Sequence, residues 1–177
     1  MLPDGRPEAS ATIVRQWLTI SGDLWFSTCR SAVERKGVLV FRSNGYNGPW
    51  KIPSDSPVCG FSIFHAEYPI IFIRKQASES RQLFTLMHEL GHLLLHTKSF
   101  VDNEDDLFSH SGKERVANAF AGYLLVPDEF LRNISDFDKP ELVGEYDTWL
   151  KPYRAQWAVS SEVILRRLLN SHRLSQT

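Results

Sequence analysis

The chain has 177 residues, of which 42% are hydrophobic and 23% are charged, and its formal net charge is −1. This length suits one domain with a sizeable core, and the composition is that of a globular protein rather than a disordered one. A net charge near zero gives no general reason to expect nucleic acid or an anionic membrane as a partner. Since no apolar run approaches the roughly 20 residues that cross a bilayer, we expect no membrane span.

The cysteine content and the first residues favour a cytoplasmic protein. Cys29 and Cys59 are the two cysteines and lie far apart, whereas a small secreted fold usually carries more. The opening segment MLPDGRPEAS lacks the basic-then-apolar order of a signal peptide. We therefore expect a reducing, cytoplasmic location.

The first part of the chain predicts two helices followed by three strands. The helices correspond to EASATIVRQWLTI and LWFSTCRSAVERKG, and Gly37 is a suitable stop for the second. The strand VLVFR (38–42) is rich in β-branched and aromatic residues. After a loop dense in Gly, Pro, Asn and Ser, the strands CGFSIF and PIIFIR lie close enough together to predict an antiparallel hairpin.

The second part predicts mostly helices. Ser78 or Ser80 is expected to cap a helix that runs to about Thr97. We interpret SFVDNEDDLFSHSG as an acidic loop, and KERVANAFAGYLLV as a helix that Pro127 stops. YRAQWAVSSEVILRRLLN closes the chain as helices. Strands first and helices after them predict an α+β fold with a short three-stranded antiparallel or mixed sheet packed on the central helix.

The central helix carries the pattern His-Glu-x-x-His in LFTLMHELGHLLLH (83–96). Residues four apart lie about 6 Å from one another along a helix, on one face, so His88 and His92 can both bind one ion. Glu89 is placed to take a proton from water that the ion activates. The alternative is two buried histidines with hydrogen-bond partners and an exposed acid.

A catalytic zinc needs three protein ligands and one open position, so a third ligand is expected further along the chain. His96 is excluded because it lies about 12 Å from His88 along the helix, and we interpret it as a capping or packing residue. Glu114 opens the next helix, where Ala117 and Ala121 allow a close approach, and Asn118 could accept the free N–H of a ligating histidine. The alternative for Glu114 is an ordinary acid in the first turn of a helix.

The acidic run DNEDD (102–106) raises the possibility of a second kind of metal site. It lacks the glycine and the twelfth-position Glu of a calcium-binding loop. We therefore interpret it as a solvated loop without a metal.

Two segments resemble the ImmA/IrrE family of metallopeptidases (the former DUF955 domain). These are GFSIF…PIIFIRKQASESRQLFTLMHELGHLLLH and ERVANAFAGYLLVP, in order and at the usual separation, so that the resemblance covers roughly residues 30–130. It implies a small gluzincin-like α+β fold. It also implies a zinc ion bound by His88, His92 and Glu114, with Glu89 as the base. Family members are bacterial or phage cytoplasmic proteins, often paired with a helix-turn-helix repressor that they inactivate by cleavage.

The chain is expected to divide at about residue 148. Residues 1–148 would form the zinc metallopeptidase domain with its N-terminal helices, and residues 149–177 a helix-turn-helix-like segment packed on the same domain. In that segment we expect a buried face and an outward basic face formed by Arg166, Arg167 and Arg173. A closing helical pair is the favoured interpretation, because a few arginines are a weak signal for DNA binding.

The sequence as a whole predicts a zinc endopeptidase that cleaves a regulatory protein, with a helix-turn-helix repressor as the expected substrate, in a phage-related or toxin–antitoxin setting. One of the strands CGFSIF and PIIFIR is expected to be an edge strand that binds substrate backbone. His110, Tyr123 and Arg81 are all candidates for the donor that stabilises the oxyanion. The alternative function is a non-catalytic regulatory or antitoxin-like protein that retains the metal site, with DNA association through the C-terminal helices.

Overall fold

The computed structural model describes residues 2–3, 5–20, 24–44, 48, 52–53, 55–76, 78–103, 105–108 and 112–175. Within these residues the fold is α+β, as predicted, with seven α-helices around a four-stranded sheet. The helices are α1 (Pro7–Leu18), α2 (Phe26–Glu34), α3 (Glu79–Gly91), α4 (Gly112–Leu125), α5 (Asp128–Leu131), α6 (Tyr146–Trp157) and α7 (Ser161–Asn170). The strands are β1 (Leu39–Arg42), β2 (Val58–Ile63), β3 (Ile70–Ile73) and β4 (Phe100–Asn103). None of the helices in these described ranges is long and apolar enough to span a membrane.

The sheet is mixed, with the strand order β1-β3-β2-β4. β1 runs parallel to β3, and β2 runs antiparallel to both β3 and β4, so the predicted hairpin is confirmed. Two expectations about strands are wrong. The sheet has four strands instead of three, and both strands of the hairpin are interior, so that neither is an edge strand.

The additional strand, β4, lies in the segment that the sequence analysis assigned to an acidic loop. Its side chains alternate across the sheet, because Phe100 and Asp102 turn toward the helices while Val101 and Asn103 are exposed. Pairing with β2, about 40 residues earlier, holds the segment extended. The acidic composition indicated a loop because a contact so distant in sequence leaves no local pattern.

Helix α3 forms the centre of the core. Ser78 caps it by accepting a hydrogen bond from the Arg81 backbone N–H, which confirms one of the two predicted caps. Leu83, Leu86 and Leu90 are fully buried between the sheet and the other helices. Beyond Gly91 the helix continues as a π-helical turn to His96, and widened turns of this kind often occur at functional sites.

Helix α4 packs closely against α3, as the small residues of its sequence predicted. Ala117 and Ala121 are fully buried. A side chain added at Gly91 of α3 would meet the Phe120 ring at 2.9 Å and the Ala117 Cα atom at 3.5 Å. The two backbones therefore lie close enough for a short carboxylate on α4 to reach the residues of α3.

The C-terminal helices α6 and α7 pack on this core, and they correct one expectation. Val163, Ile164 and Leu168 of α7 are buried as predicted, but Arg167 is also buried, with 2% of its surface exposed. Its guanidinium donates to the Val126 carbonyl. The outward basic face of three arginines is therefore wrong, because Arg167 lies one helical turn after Val163 and faces the core with it.

Candidate metal centre

Four side chains from four parts of the chain converge at one end of α3. His88 is on α3, His92 begins the π-helical turn, Asp102 is on β4, and Glu114 is in the first turn of α4. The two imidazole Nε2 atoms are 3.0 Å apart. Glu114 Oε2 lies 3.3 Å from His88 Nε2 and 3.2 Å from His92 Nε2. The residues proposed as ligands from sequence are thus brought together, and their roles as ligands stay predictions.

Asp102 is the member of this group that the sequence analysis missed. Its Oδ2 atom lies 3.0 Å from His88 Nε2 and 3.3 Å from His92 Nε2, and the residue is 1% exposed. The interpretation of residues 102–106 as a solvated loop is therefore wrong at Asp102. The sequence offered only a weak signal for Asp102. It lies two positions after Phe100, and a strand places residues two apart on the same face.

The arrangement fits a small metal ion. Ligand atoms bound tetrahedrally at about 2.0–2.1 Å lie about 3.3–3.4 Å apart. Five of the six distances in this group are between 3.0 and 3.3 Å, and the four ligand atoms all lie within 4.8 Å of one another. Asp102 Oδ2 is buried and faces both histidine Nε2 atoms, as expected of an atom oriented toward a shared ion. Two imidazoles and two carboxylates can hold a metal ion, and this donor set suits zinc.

The four groups also shift one another's pKa. Burial lowers the pKa of His92, but hydrogen bonds to Asp102 and Glu114 outweigh burial and raise it to about 9. Burial would raise the pKa of Glu114, but the two histidines lower it to about 2. The same balance raises the pKa of His88 and lowers that of Asp102. The carboxylates are therefore ionised at neutral pH and available to a cation.

Glu89 lies beside this group and is completely buried, with 0% of its surface exposed. Neither carboxylate oxygen makes a hydrogen bond to a described residue, although Ser62 and Asp102 are near enough to influence it. Burial first, and then the negative charge of Asp102, raise the pKa of Glu89 well above its ordinary value. A carboxylate with a raised pKa and no fixed partner is suited to accept and return a proton.

The ring of His92 is held by its neighbours. His92 Nδ1 lies 2.9 Å from His96 Nδ1, and the Phe100 ring stacks on His92 with centroids 4.1 Å apart. Burial and the charge of His92 lower the pKa of His96 to about 4, so a neutral His96 can accept the N–H of His92. The interpretation of His96 as a packing residue is consistent with this contact.

The supporting role proposed for Asn118 is not the one found. Its side-chain amide donates to the Asp106 backbone carbonyl at 3.0 Å, and no described hydrogen bond joins it to His88 or His92. Asn118 therefore holds α4 to the segment that follows β4.

Two of the three candidates for the oxyanion donor, Tyr123 and Arg81, are not brought to the group. Tyr123 lies nine residues after Glu114, about 13 Å along α4, with its ring 3.6 Å from the Arg167 guanidinium carbon. Arg81 lies seven residues before His88, about 10 Å along α3, and lines a separate cavity of about 360 Å³. His110 lies outside the described residues.

Comparison with known proteins identifies the class to which this fold and site belong. Residues 33–169 match the family model described as the IrrE N-terminal-like domain, which is a peptidase family. The family and the group of residues that could hold a metal ion support a protein of the metallopeptidase kind. Because the match covers most of the sequence and includes α6 and most of α7, the chain belongs to the IrrE N-terminal-like family.

Among solved structures, one described as a Mycobacterium tuberculosis transcriptional regulator is similar, with a TM-score of 0.57 and 16% sequence identity. The similarity covers 92% of this chain but 46% of that one, so this chain spans less than half the length of the regulator. At this identity the likeness shows a shared fold. No curated protein matches the sequence significantly.

Proposed function

We propose that this protein is a zinc-dependent endopeptidase that hydrolyses a peptide bond in a regulatory protein. The observation that carries this proposal is the convergence of His88, His92 and Glu114, with ligand atoms 3.0 to 3.3 Å apart, next to the buried base Glu89. A structural metal site has no use for such a base. The membership of a peptidase family supports the same conclusion.

In this mechanism zinc, when bound, lowers the pKa of a water molecule and polarises the scissile carbonyl group. His88, His92 and Glu114 hold the ion, and the contacts of His92 with His96 and Phe100 fix the orientation of one ligand ring. Glu89 accepts the proton of the attacking water and donates it to the leaving amine. Its raised pKa favours both steps, because the carboxyl group can hold the proton between them.

The proposed substrate is a segment of one folded partner in the cytoplasm, a helix-turn-helix repressor. The family resemblance supports this choice, and the shared fold with a transcriptional regulator is consistent with it. β1 and β4 each have one neighbouring strand among those described, and β4 is the proposed receiver of substrate backbone because it carries Asp102 of the metal group and the 66% exposed Val101. Strand addition gives affinity with little side-chain selectivity, so most selectivity would come from docking elsewhere on the partner.

The test uses purified zinc-loaded protein with two substrates. One is casein, as a generic unfolded protein, and the other is the repressor encoded next to this gene. We expect cleavage of the repressor at one or two bonds, and no cleavage by the Glu89→Gln variant loaded with the same amount of zinc. Efficient digestion of casein with the repressor left intact would contradict the proposed substrate.

A second candidate function is a non-catalytic regulatory protein that retains its metal and acts by association. One observation favours it: Asp102 brings a fourth potential ligand atom to the group, and four protein ligands are typical of structural sites. Zinc content and cleavage measured together distinguish the two functions. If the zinc-loaded wild type binds the repressor but, like the Glu89→Gln variant, leaves it uncut, the result would support the non-catalytic function.

A further inference from the structure

Asp102 stands where an open catalytic site would have its free position. His88, His92 and Glu114 already supply the three protein ligands that a hydrolytic zinc site needs. Asp102 Oδ2 is as near to the histidine nitrogens, at 3.0 and 3.3 Å, as Glu114 Oε2 is, at 3.3 and 3.2 Å. By distance, the two carboxylates are equivalent ligands.

We propose that Asp102 is the fourth metal ligand of the resting protein and closes the site, so that hydrolysis requires its carboxylate to leave. This inference deepens the proposed function and rests on its metal-binding part. The exchange needs no further reagent. The Asp102 oxygen withdraws with its electron pair, and the oxygen of a water molecule supplies an electron pair in its place.

The position of Asp102 next to the base supports this assignment. Gly60 of β2 is paired with Asp102 of β4. A side chain added at Gly60 would come within 2.7 Å of Glu89 Oε1. Asp102 and Glu89 are therefore both next to Gly60, so the proposed fourth ligand and the proposed base lie side by side.

The sheet allows Asp102 to move. β4 has four residues and is held by β2 alone among the described strands. Its pairing is irregular at this point, because Val58 pairs with Asn103 and Gly60 with Asp102, so that Cys59 is an extra residue on β2. Bulges of this kind redirect a side chain and interrupt the ladder locally. A substrate strand added to the free edge of β4 would act directly on the strand that carries Asp102.

The test compares coordination in the full chain with Co²⁺ in place of zinc, using azide as an external ligand and visible absorption as the readout. We expect azide to leave the wild-type spectrum unchanged, and to shift the spectrum of Asp102→Ala because that variant has an open position. We also expect the zinc affinity of Asp102→Ala to be lower than that of the wild type. The loss should be at least the roughly 10–100-fold that follows removal of a residue that only hydrogen-bonds to a metal ligand. The matched control is Asp105→Ala, which removes an exposed acid from the same segment and should behave like the wild type.

A wild-type spectrum that shifts with azide as readily as that of Asp102→Ala would overturn this inference and leave the proposed function standing. If Asp102→Ala does not fold, the wild-type titration decides alone, since insensitivity supports closure and sensitivity overturns it. Failure of the wild type to bind Co²⁺ or zinc would overturn both proposals. If the azide spectra come out as expected but neither the wild type nor Asp102→Ala cleaves the repressor, only the proposed function is wrong.

Discussion

Among the described residues, Arg167 and Glu89 are two buried ionisable side chains that differ in how they are paired. Arg167 of α7 donates to the Val126 carbonyl at 2.8 Å, pairs with Asp128, and lies over the Tyr123 ring at 3.6 Å. Glu89 of α3 is equally buried, yet neither oxygen has a hydrogen bond to a described residue. Burying an unpaired polar group opposes folding. The contacts of Arg167 therefore favour a role in stability, whereas the burial of Glu89 without such partners favours the catalytic role proposed for it.

The largest effect that this contrast predicts is on catalysis. Glu89→Gln keeps the size of the side chain and removes the base, so we expect cleavage to fall by about 10²–10⁴-fold. Zinc affinity should change little. The thermal midpoint should stay the same or rise, because an uncharged amide replaces a carboxyl group beside Asp102. Cleavage rates, zinc content and melting curves check this, and loss of zinc would identify Glu89 as a structural support instead.

At Arg167 we expect a substitution to lower stability and to leave cleavage unchanged. Arg167→Met leaves the Val126 carbonyl without its donor, and an unsatisfied buried acceptor costs about 1–3 kcal/mol. Lost packing on Tyr123 adds to this, so urea unfolding should show a loss of about 2–3 kcal/mol. Zinc binding and cleavage by the folded variant should not change.

The matched control for Arg167 is Arg166→Met, one residue earlier on the same helix. Arg166 makes an i,i+4 pair with Glu162 that is partly exposed, and such pairs contribute about 0.3–0.5 kcal/mol. Equal destabilisation by the two variants would contradict the structural role assigned to Arg167.

The same contrast shows what the sequence could and could not predict. His88, Glu89 and His92 were found because helical spacing alone fixes their relation, and Glu114 because small residues marked the helix that approaches them. Asp102 was missed because its position depends on pairing between β2 and β4, which no local pattern announces. Arg167 was wrongly placed on the surface because the prediction relied on its charge. Its position four residues after the buried Val163 places it on the buried face of the helix.

A third prediction concerns the effect of pH on zinc binding at the group that contains His92. The carboxylates raise the pKa of His92 to about 9, and a metal ligand must be a neutral imidazole, so metal binding has to displace a proton below that pH. Apparent zinc affinity should therefore fall about tenfold for each unit of pH below about 9, and more steeply where His88 is also protonated. Titrations against a chelator of known pH dependence measure this. A constant affinity between about pH 6 and pH 9 would contradict it.

The raised pKa of His92 has the opposite consequence for the metal-free fold. Its stabilising contribution is fully present below the unfolded value of 6.5 and is lost as the pH rises through about 9. Metal-free protein should thus lose stability over the range in which zinc binds more tightly. Unfolding curves with and without zinc should diverge as pH rises.

The last comparison is between two glycines, one beside each of these buried side chains. At Gly60 a methyl group would lie 2.7 Å from Glu89 Oε1, 2.8 Å from Thr85 Cγ2 and 2.9 Å from the Phe72 carbonyl oxygen. The Phe72 atom belongs to the backbone of a paired strand and cannot move aside easily. We expect Gly60→Ala to destabilise the protein by about 1–3 kcal/mol and to slow cleavage by displacing Glu89.

At Gly122 of α4 the same substitution should have the opposite sign. A methyl group there would meet Arg167 Cδ at 3.5 Å and Cγ at 3.9 Å, which are ordinary packing distances. Alanine in a helix also loses less backbone entropy on folding than glycine, which contributes about 0.5–1 kcal/mol. Gly122→Ala should therefore raise the free energy of unfolding by up to about 1 kcal/mol and leave zinc binding and cleavage unchanged. Urea unfolding of the two glycine variants measures whether each one raises or lowers the free energy of unfolding. If Gly122→Ala were as destabilising as Gly60→Ala, the Arg167 side chain would have to be packed more tightly than these distances indicate.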